Sequence, residues 1–236
     1  FLEPSGGFPF SEGIILSSGN ALDGSGPNVG ASTGGFEWPG DSDLDGLIDG
    51  ETNNASIIEF DFVPTTDTVK FRYVFASEEY CDYSNSSYND VFGFFLSGPG
   101  ISGPYSNNSI NIAKLPTGQN VTINNVNHIN NPQYYISNTT DATNTGSKCV
   151  GNPLGSEPGI SELQYDAHTV ILEACAVVQP CQSYHIKLAV ADVYDRKFDS
   201  AVFLESNSFI SGEQIAATVV NSNTGESSGF EDCDLA

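Results

Sequence analysis

Alternation of apolar and polar residues is the sequence feature that most constrains the fold. Every second residue of the segment 184–190 is apolar, and the segments 57–63 and 69–75 follow the same rule. Because successive side chains of a β-strand point to opposite faces, this period of two predicts strands with one buried face. Further strands are expected over 91–96, 109–113, 121–123, 169–175 and 201–204.

Turn-forming residues separate these runs. The chain contains 24 Gly and 12 Pro, and 39% of its residues are apolar, which indicates a folded β protein rather than a disordered one. No segment has the periodicity of a long amphipathic helix. The sequence therefore predicts an all-β fold, an antiparallel, jelly-roll-like β-sandwich with long loops. It also predicts a hairpin that joins 57–63 to 69–75.

The composition suggests one large domain over residues 1–209. The tail over 210–236 differs in composition and is expected to be a linker or the start of a following module. No apolar run approaches the roughly 18 residues of a membrane span, so we expect no membrane insertion. Neither a leader nor an initiator Met is visible, and we expect an internal part of a longer, processed protein.

The charge balance excludes one class of partner. The chain has 30 Asp and Glu residues against 7 Lys and Arg residues, for a formal charge of −23. A field of this sign repels phosphate backbones, so we expect no nucleic-acid partner. An acidic composition alone is typical of many soluble secreted proteins, which accounts for the dispersed acids but not for the clustered ones.

Five cysteines lack the CxxC spacing of zinc and redox motifs, and they suit disulfides in an oxidising compartment. Cys175 with Cys181, and Cys81 with Cys149, are the expected pairs. Cys233 is left over, and its partner is expected outside this sequence. Spacing alone does not fix this connectivity.

The segment 41–51, DSDLDGLIDGE, resembles a calcium-binding loop. Asp41, Asp43, Asp45 and Asp49 match four of the odd ligand positions of an EF-hand loop, and Gly46 matches its turn position. The twelfth position is Thr52 instead of Glu, and the flanking sequences are not helical. The sequence favours a calcium loop without helices over its alternative, an acidic surface turn.

A second group of acids flanks two predicted strands. The segment 75–100 carries acids without any Lys or Arg, and further acids follow the strand at 183–191. Loops at one end of a sandwich can meet, so the sequence predicts a buried Ca²⁺ site there. Its expected ligands are Glu78, Glu79, Asn89, Asp90, Asp192 and Asp199. The alternative is ordinary ion pairing of these acids with Arg196 and Lys197.

Catalysis is the weaker interpretation of the same acids. Glu78 or Glu79 with Asp192 has the composition of a glycosidase carboxylate pair, but structural calcium sites give the same signal. We therefore expect no enzyme. Loop aromatics are suited either to stacking on sugar rings or to covering the ends of the sandwich, and the sequence leaves both open. These aromatics are Trp38, Tyr83, Tyr88, Tyr105, Tyr134 and Tyr135.

Several segments together resemble the choice-of-anchor L domain family. They include EGIILSSGNALDGSGPN, FRYVFASEEYCDYSNSSYNDVFGFFLSGPGI and PCQSYHIKLAVADVYDRKFDSAVFLESNSF, and the resemblance runs from about Gly13 to Phe209. Members are bacterial secreted or surface proteins, often large, with varied anchoring signals that include type IX secretion tails. The resemblance implies an extracellular, surface-displayed module and a shared structural role for the acids of the second group. It implies no enzymatic activity.

Taken together, the sequence predicts a secreted or cell-surface calcium-binding module. Adhesion, through recognition of a glycan or another surface ligand, is the first expected function. The alternative is a structural building block of a filament, stalk or surface layer, which associates with itself or with neighbouring modules of the same protein. Glycoside hydrolysis is the third and weakest hypothesis.

Overall fold

A computed structural model describes residues 8–26, 28, 36–80, 82–138 and 163–209, together with the backbone of 217–220 and 227–230. Its strands are β1 (Gly13–Ser17), β2 (Thr52–Phe62), β3 (Thr68–Ser77), β4 (Val91–Ser97), β5 (Ile110–Asn111), β6 (Val121–Thr122), β7 (Tyr135–Ser137), β8 (Ala167–Thr169), β9 (Leu172–Val177), β10 (Tyr184–Val193), β11 (Ser200–Glu205), β12 (Ala217–Val220) and β13 (Ser227–Phe230). Its helices are a one-turn α1 (Ser42–Asp45) and 3₁₀ turns over Ala21–Gly24, Ser106–Asn108 and Pro132–Tyr134.

Two antiparallel sheets form the domain. The first has the order β1-β11-β3-β8-β7, with β9 also paired to β3. The second has the order β2-β10-β4-β5, with β6 also paired to β4. The prediction of an all-β, antiparallel sandwich is confirmed. Strands β1 and β2 are therefore edge strands of their sheets within the described residues.

Aromatic side chains fill the space between the sheets. The inward residues of β3 include Phe71 and Tyr73, which pack on Phe92 and Phe94 of β4. The ring centroids of Tyr73 and Phe92 are 5.2 Å apart. All four side chains are at least nine-tenths buried, as the period-two pattern predicts. Aromatic pairs of this kind contribute packing energy beyond the area that they bury.

The predicted hairpin between β2 and β3 is wrong. Strand β2 pairs with β10, whereas β3 pairs with β11, β8 and β9, so the two strands belong to different sheets. The connection over 63–67 therefore leads from one sheet to the other instead of reversing within one sheet. Its PTTD turn lacks the Asn-Gly or Asp-Gly pair that favours a two-residue hairpin. Both strands can then turn their apolar faces to the same core from opposite sides.

The tail contributes an antiparallel pair of its own, β12 with β13, so part of the predicted linker has regular backbone structure. The domain boundary at residue 209 stays a prediction. Within the described residues, no helix combines the length and the apolar character needed to cross a membrane.

The predicted disulfide between Cys175 and Cys181 is not formed, and both are free thiols. Cys175 is exposed on β9, where it lies opposite Lys70 of β3. Cys181 lies beyond the end of that strand, and its backbone N–H donates to the carbonyl of Pro64. The strand runs on in extended form to Val177, which separates the two thiols. Cys81, Cys149 and Cys233 lie outside the described residues.

Candidate functional site

Four central strands meet at one end of the sandwich and carry acids there. Strand β3 leads into Glu78 and Glu79, and β10 carries Asp192 near its end. Asp90 immediately precedes β4, and Asp199 immediately precedes β11. The register Ser200↔Ser77 pairs the ends of β3 and β11, and Ala191↔Val91 pairs those of β4 and β10. Hydrogen bonds from Val193 and Ser200 to Asp90 bring both pairs to the same end of the sandwich. We call Glu78, Glu79, Asp90, Asp192 and Asp199 the acidic cluster.

The acidic cluster is buried. Glu79 and Asp192 are 0% exposed, and the other three members are at most 5% exposed. Acidic side chains are almost never fully buried unless they are paired. The two segments that the sequence places in one calcium site are therefore brought together, although they are more than 100 residues apart in the chain.

Hydrogen bonds hold part of the cluster across the two sheets. Asp90 accepts from the Val193 backbone N–H at 2.9 Å and from the Ser200 hydroxyl at 2.7 Å. Asp192 Oδ2 accepts from the Asn54 side-chain amide at 3.0 Å. Ser200 belongs to the first sheet and Val193 to the second, so Asp90 ties the sheets together. These bonds position the carboxylates without supplying any positive charge.

Glu79 and Asp199 are among the members of the cluster that keep unpartnered oxygens. Neither carboxylate oxygen of Glu79 has a hydrogen-bond partner among the described residues, and neither does Oδ1 of Asp199. A buried, ionised carboxylate without a partner destabilises the fold by several kcal/mol, because the ion loses its hydration and gains no compensating contact. The Asp199 carboxylate also depends on Gly19, because a Cβ there would lie 1.7 Å from its Oδ2 atom.

Burial and mutual repulsion raise the pKa values of the cluster. Burial first, and then the charges of Asp195 and Asp192, raise the pKa of Glu79 to about 9. Burial and the charge of Asp192 raise the pKa of Asp199 to about 8. Burial raises the pKa of Asp192 to about 7, and it raises that of Asp90 well above its ordinary value. At neutral pH the cluster therefore favours protons or another cation.

Within the described residues, no basic side chain forms a salt bridge with the cluster. Arg196 and Lys197 are exposed, and neither forms a salt bridge with an acid in the part of the chain that the structure describes. The Lys197 backbone N–H donates to Asp195, but its ammonium does not contact the cluster. The alternative of ordinary ion pairing with these two residues is therefore not what the structure shows.

Neighbouring loops close the cluster off from water. The Tyr83 ring packs against Phe198 and Tyr88, with centroids 5.1 and 5.3 Å away. The Tyr83 N–H also donates to the Glu79 carbonyl, which fixes the turn over the cluster. For these tyrosines the structure favours the role of a cover. Asn89, a predicted ligand, accepts from the Asn124 N–H at 2.8 Å and fixes that loop instead.

The segment 41–51 does not adopt the predicted calcium-loop geometry. Asp41 caps helix α1 by accepting from the backbone N–H groups of Asp43 and Leu44. The Lys187 ammonium lies 2.9 Å from the Asp41 carboxylate and 2.5 Å from Oδ2 of Asp43. Lys187 is 144 residues from Asp43 in the chain, so a local motif cannot reveal it.

The remaining acids of this loop are not gathered around Lys187 or a common centre. Asp45 accepts from the N–H and the hydroxyl of Thr52, at 2.8 and 2.7 Å, and Asp49 is exposed. Burial alone would raise the pKa of Asp43, but the hydrogen bonds from Lys187 and Ser106 outweigh it and lower that pKa. Burial likewise opposes the Lys187 charge, and its bonds to Asp43 and Asp41 raise its pKa. The loop therefore has its own cation.

The fold also brings in residues that the sequence does not single out. Asn54 is fully buried, holds Asp192 and has a left-handed backbone with φ of 52°. Ser18, which accepts from the Ser200 N–H, supports the same end of the sandwich. A single Asn or Ser in an Asn- and Ser-rich chain gives no signal of its own. Within the described residues, no group of three or more His, Cys, Asp or Glu side chains is spaced to hold a metal ion.

These features define an antiparallel β-sandwich with a buried acidic cluster at one end. The sequence model of the choice-of-anchor L domain matches residues 1–210, and the chain belongs to that family. The domain marks a bacterial surface or secreted protein. No curated protein and no solved structure matches this chain.

We expect Lys187→Gln to destabilise the domain by about 3 kcal/mol, because it leaves two largely buried carboxylates without their cation. The matched control is Lys70→Gln, which removes an exposed partner of Glu173 and should leave the stability nearly unchanged. Urea unfolding at pH 7 measures both. Equal, small losses in the two variants would show that the Lys187 triad carries no stability.

We expect Glu79→Gln to stabilise the metal-free domain at alkaline pH. The pKa of Glu79 is raised in the folded state from 4.5 to about 9, so the wild-type domain loses stability as the pH rises between these two values, where the unfolded chain is ionised and the folded one must keep its proton. Gln does not titrate. In EDTA, the variant should gain on the order of 2–4 kcal/mol over the wild type between pH 5 and pH 9. Parallel stability profiles from urea unfolding would contradict this.

Proposed function

We propose that the chain is a calcium-stabilised module of a bacterial surface or secreted protein and that it acts in adhesion. One observation carries the calcium proposal: the fully buried Glu79 carboxylate faces other acids, and neither of its oxygens has a hydrogen-bond partner in the part of the chain that the structure describes. A hard divalent cation with oxygen ligands suits such a place, because carboxylates and carbonyls satisfy Ca²⁺ at flexible coordination numbers.

The donor set fits this ion better than it fits a softer metal. The cluster offers only oxygen atoms, and within the described residues it includes no His or Cys. Glu79 and Asp199 would hold the ion with their unpartnered oxygens, and Glu78 and Asp192 lie beside them. Asp90 already accepts two hydrogen bonds and would support the site from behind. Small rotations of these side chains would bring their oxygens together once their repulsion is removed.

The same burial disfavours hydrolysis. A glycosidase needs its carboxylates at a cleft that a sugar chain can enter. Glu79 and Asp192 are instead fully buried, and the Tyr83 segment covers them. We therefore propose a role without catalysis, in which the ion holds the strand ends and their loops rigid while the outer loops contact a surface ligand.

Calcium should raise the melting temperature of the domain. Calcium at about 100 times its Kd would add about 2.7 kcal/mol, which corresponds to roughly 5–10 °C for a domain of this size. Isothermal titration calorimetry after EDTA treatment should detect the binding, and differential scanning calorimetry should detect the shift.

Glu79→Gln is the decisive variant for this site. It should lose most of the calcium response while it gains stability in EDTA at alkaline pH, and this opposite pair of effects separates loss of a ligand from general damage. Asp61→Asn, on an exposed carboxylate, is the matched control and should keep the response. No heat of binding and no shift of the melting temperature in the wild type would overturn the calcium proposal.

A second candidate function rests on the two edge strands. Between β1 and β2 lies an apolar groove of about 420 Å³, lined by Ile58, Phe60, Phe71 and Leu204 among others. Ile14 of β1 lines this groove and is 55% exposed, and Ile57 of the β2 edge strand is 42% exposed. Unpaired edges with apolar side chains favour association with another strand. We propose a second copy of this chain as the partner in a structural assembly.

Light scattering after size exclusion tests the self-association. We expect a concentration-dependent rise in mass, and Ile57→Lys should abolish it because a charged residue on an edge strand opposes pairing. Val177→Lys, at an exposed apolar residue of β9, is the control and should leave the mass unchanged. A monomer at all concentrations would leave adhesion as the single proposed role.

A further inference from the structure

A stacked aromatic pair lies exposed beside the acidic end. The rings of Phe36 and Trp38 are parallel within 8°, with centroids 4.3 Å apart. Phe36 is 37% exposed and Trp38 is 48% exposed. Tyr83 and Tyr88, in contrast, pack into the cover over the cluster. The fold therefore leaves a flat apolar surface exposed to water at Phe36 and Trp38, outside the hydrophobic core.

Hydrogen bonds hold the backbone of Trp38 and Pro39 against the start of β2. The Trp38 N–H donates to the side-chain oxygen of Asn54 at 3.1 Å, and the Trp38 carbonyl accepts from the Asn54 N–H at 3.1 Å. The Pro39 carbonyl accepts from the Ala55 N–H at 3.0 Å. Asn54 thus holds both polar groups of the Trp38 backbone.

A β-bulge in β2 places the Asn54 side chain between Asp192 and Trp38. The register of β2 with β10 passes from Val190↔Ser56 to Asp192↔Asn53, so two residues of β2 lie opposite one of β10. Asn54 is one of the two, and its left-handed backbone turns its side chain inward. Its amide nitrogen donates to Asp192 while its amide oxygen accepts from Trp38. One side chain therefore joins the acidic cluster to the aromatic pair.

We propose that Phe36 and Trp38 bind the apolar face of a neutral sugar and that Asn54 couples the order of this platform to calcium at the acidic cluster. The coupling rests on the calcium site proposed above. An ion that attracts the Asp192 carboxylate fixes the position of Asp192. The hydrogen bonds of Asn54 to Asp192 and to the Trp38 backbone then fix Trp38 as well. Without the ion, repulsion among the acids displaces Asp192 and loosens the same chain of bonds.

The chemistry of the surface selects a neutral sugar. The C–H face of a pyranose ring is flat and apolar, and it stacks on an aromatic face while its hydroxyls stay in water. The formal charge of −23 disfavours anionic saccharides and nucleic acids. A single stacked pair is also far smaller than the roughly 800 Å² that each partner contributes to a stable protein interface.

The single Trp of the chain makes the coupling measurable in the full protein. Acrylamide quenching of tryptophan emission reports on Trp38 alone, and calcium should reduce the quenching constant about twofold. Asn54→Gly suits the left-handed backbone and removes the bridge, so it should abolish this change. Asn207→Gly, at an exposed Asn with a φ of 57°, is the matched control and should keep it.

Calorimetry on the same samples separates the two proposals. If calcium binds and the quenching of Trp38 does not change, the coupling is wrong and the calcium site stands. If Asn54→Gly no longer binds calcium in 10 mM CaCl₂, then Asn54 serves the metal itself and the coupling is also wrong. If the wild type binds no calcium, the calcium site fails and the coupling fails with it.

Sugar binding is tested separately, with cellohexaose, laminarihexaose and mannohexaose as neutral probes and an oligogalacturonate as the charged one. In calcium, calorimetry should show binding of at least one neutral probe with a Kd on the order of 1 mM. Trp38→Ala and Phe36→Ala should each weaken it at least tenfold, whereas Tyr194→Ala, at a 61% exposed aromatic, should not.

Three results would overturn the sugar platform: no binding of any neutral probe, equal binding of the charged probe, or equal losses in Tyr194→Ala and the two platform variants. Circular dichroism of each variant confirms that it is folded. These outcomes are independent of the calcium titration, because stacking on Phe36 and Trp38 involves no metal ligand.

Discussion

Repulsion among buried carboxylates is the constraint on which the rest of the structure depends. Strands β3, β4, β10 and β11 form the centre of both sheets, and each has one of its two ends at the acidic cluster. Two unit charges 4 Å apart repel by about 4 kcal/mol at an effective dielectric constant of 20, a large fraction of the free energy that holds a domain folded. Whatever neutralises the cluster therefore decides how well the two sheets stay together.

The chain contains a second group of buried acids that serves as an internal comparison. Asp41 and Asp43 share the Lys187 ammonium, and the pKa of Asp43 is lowered. Glu79 has no such partner among the described residues, and its pKa is raised to about 9. Both groups belong to the same strongly acidic chain, so overall composition does not explain the contrast. The contrast follows from the presence of a protein cation in one group and the lack of a described one in the other.

Much of the fold follows from local pattern, whereas the site does so only in part. The period-two runs locate β3, β4, β10 and β11 because each strand has one strongly apolar face. The pairing of β2 depends on long-range packing, and turn chemistry at 63–67 gave the wrong partner. The sequence expects the two acidic segments to meet because strand ends in a sandwich converge, and the role of their acids as calcium ligands stays a prediction. It misses Lys187 and Asn54, since both act on residues more than 130 positions away.

A weak calcium site would link the stability of this domain to its location. Extracellular calcium modules have Kd values of about 10⁻⁴–10⁻³ M, whereas intracellular sensors respond at about 10⁻⁷–10⁻⁵ M. A site of the first kind stays largely unoccupied at the concentrations that sensors detect, and the free energy that calcium adds appears only where calcium is abundant. On this account the domain would lack the stability that calcium adds while it is inside the cell. After export the proposed site would fill and hold the strand ends, and with them Trp38, in place.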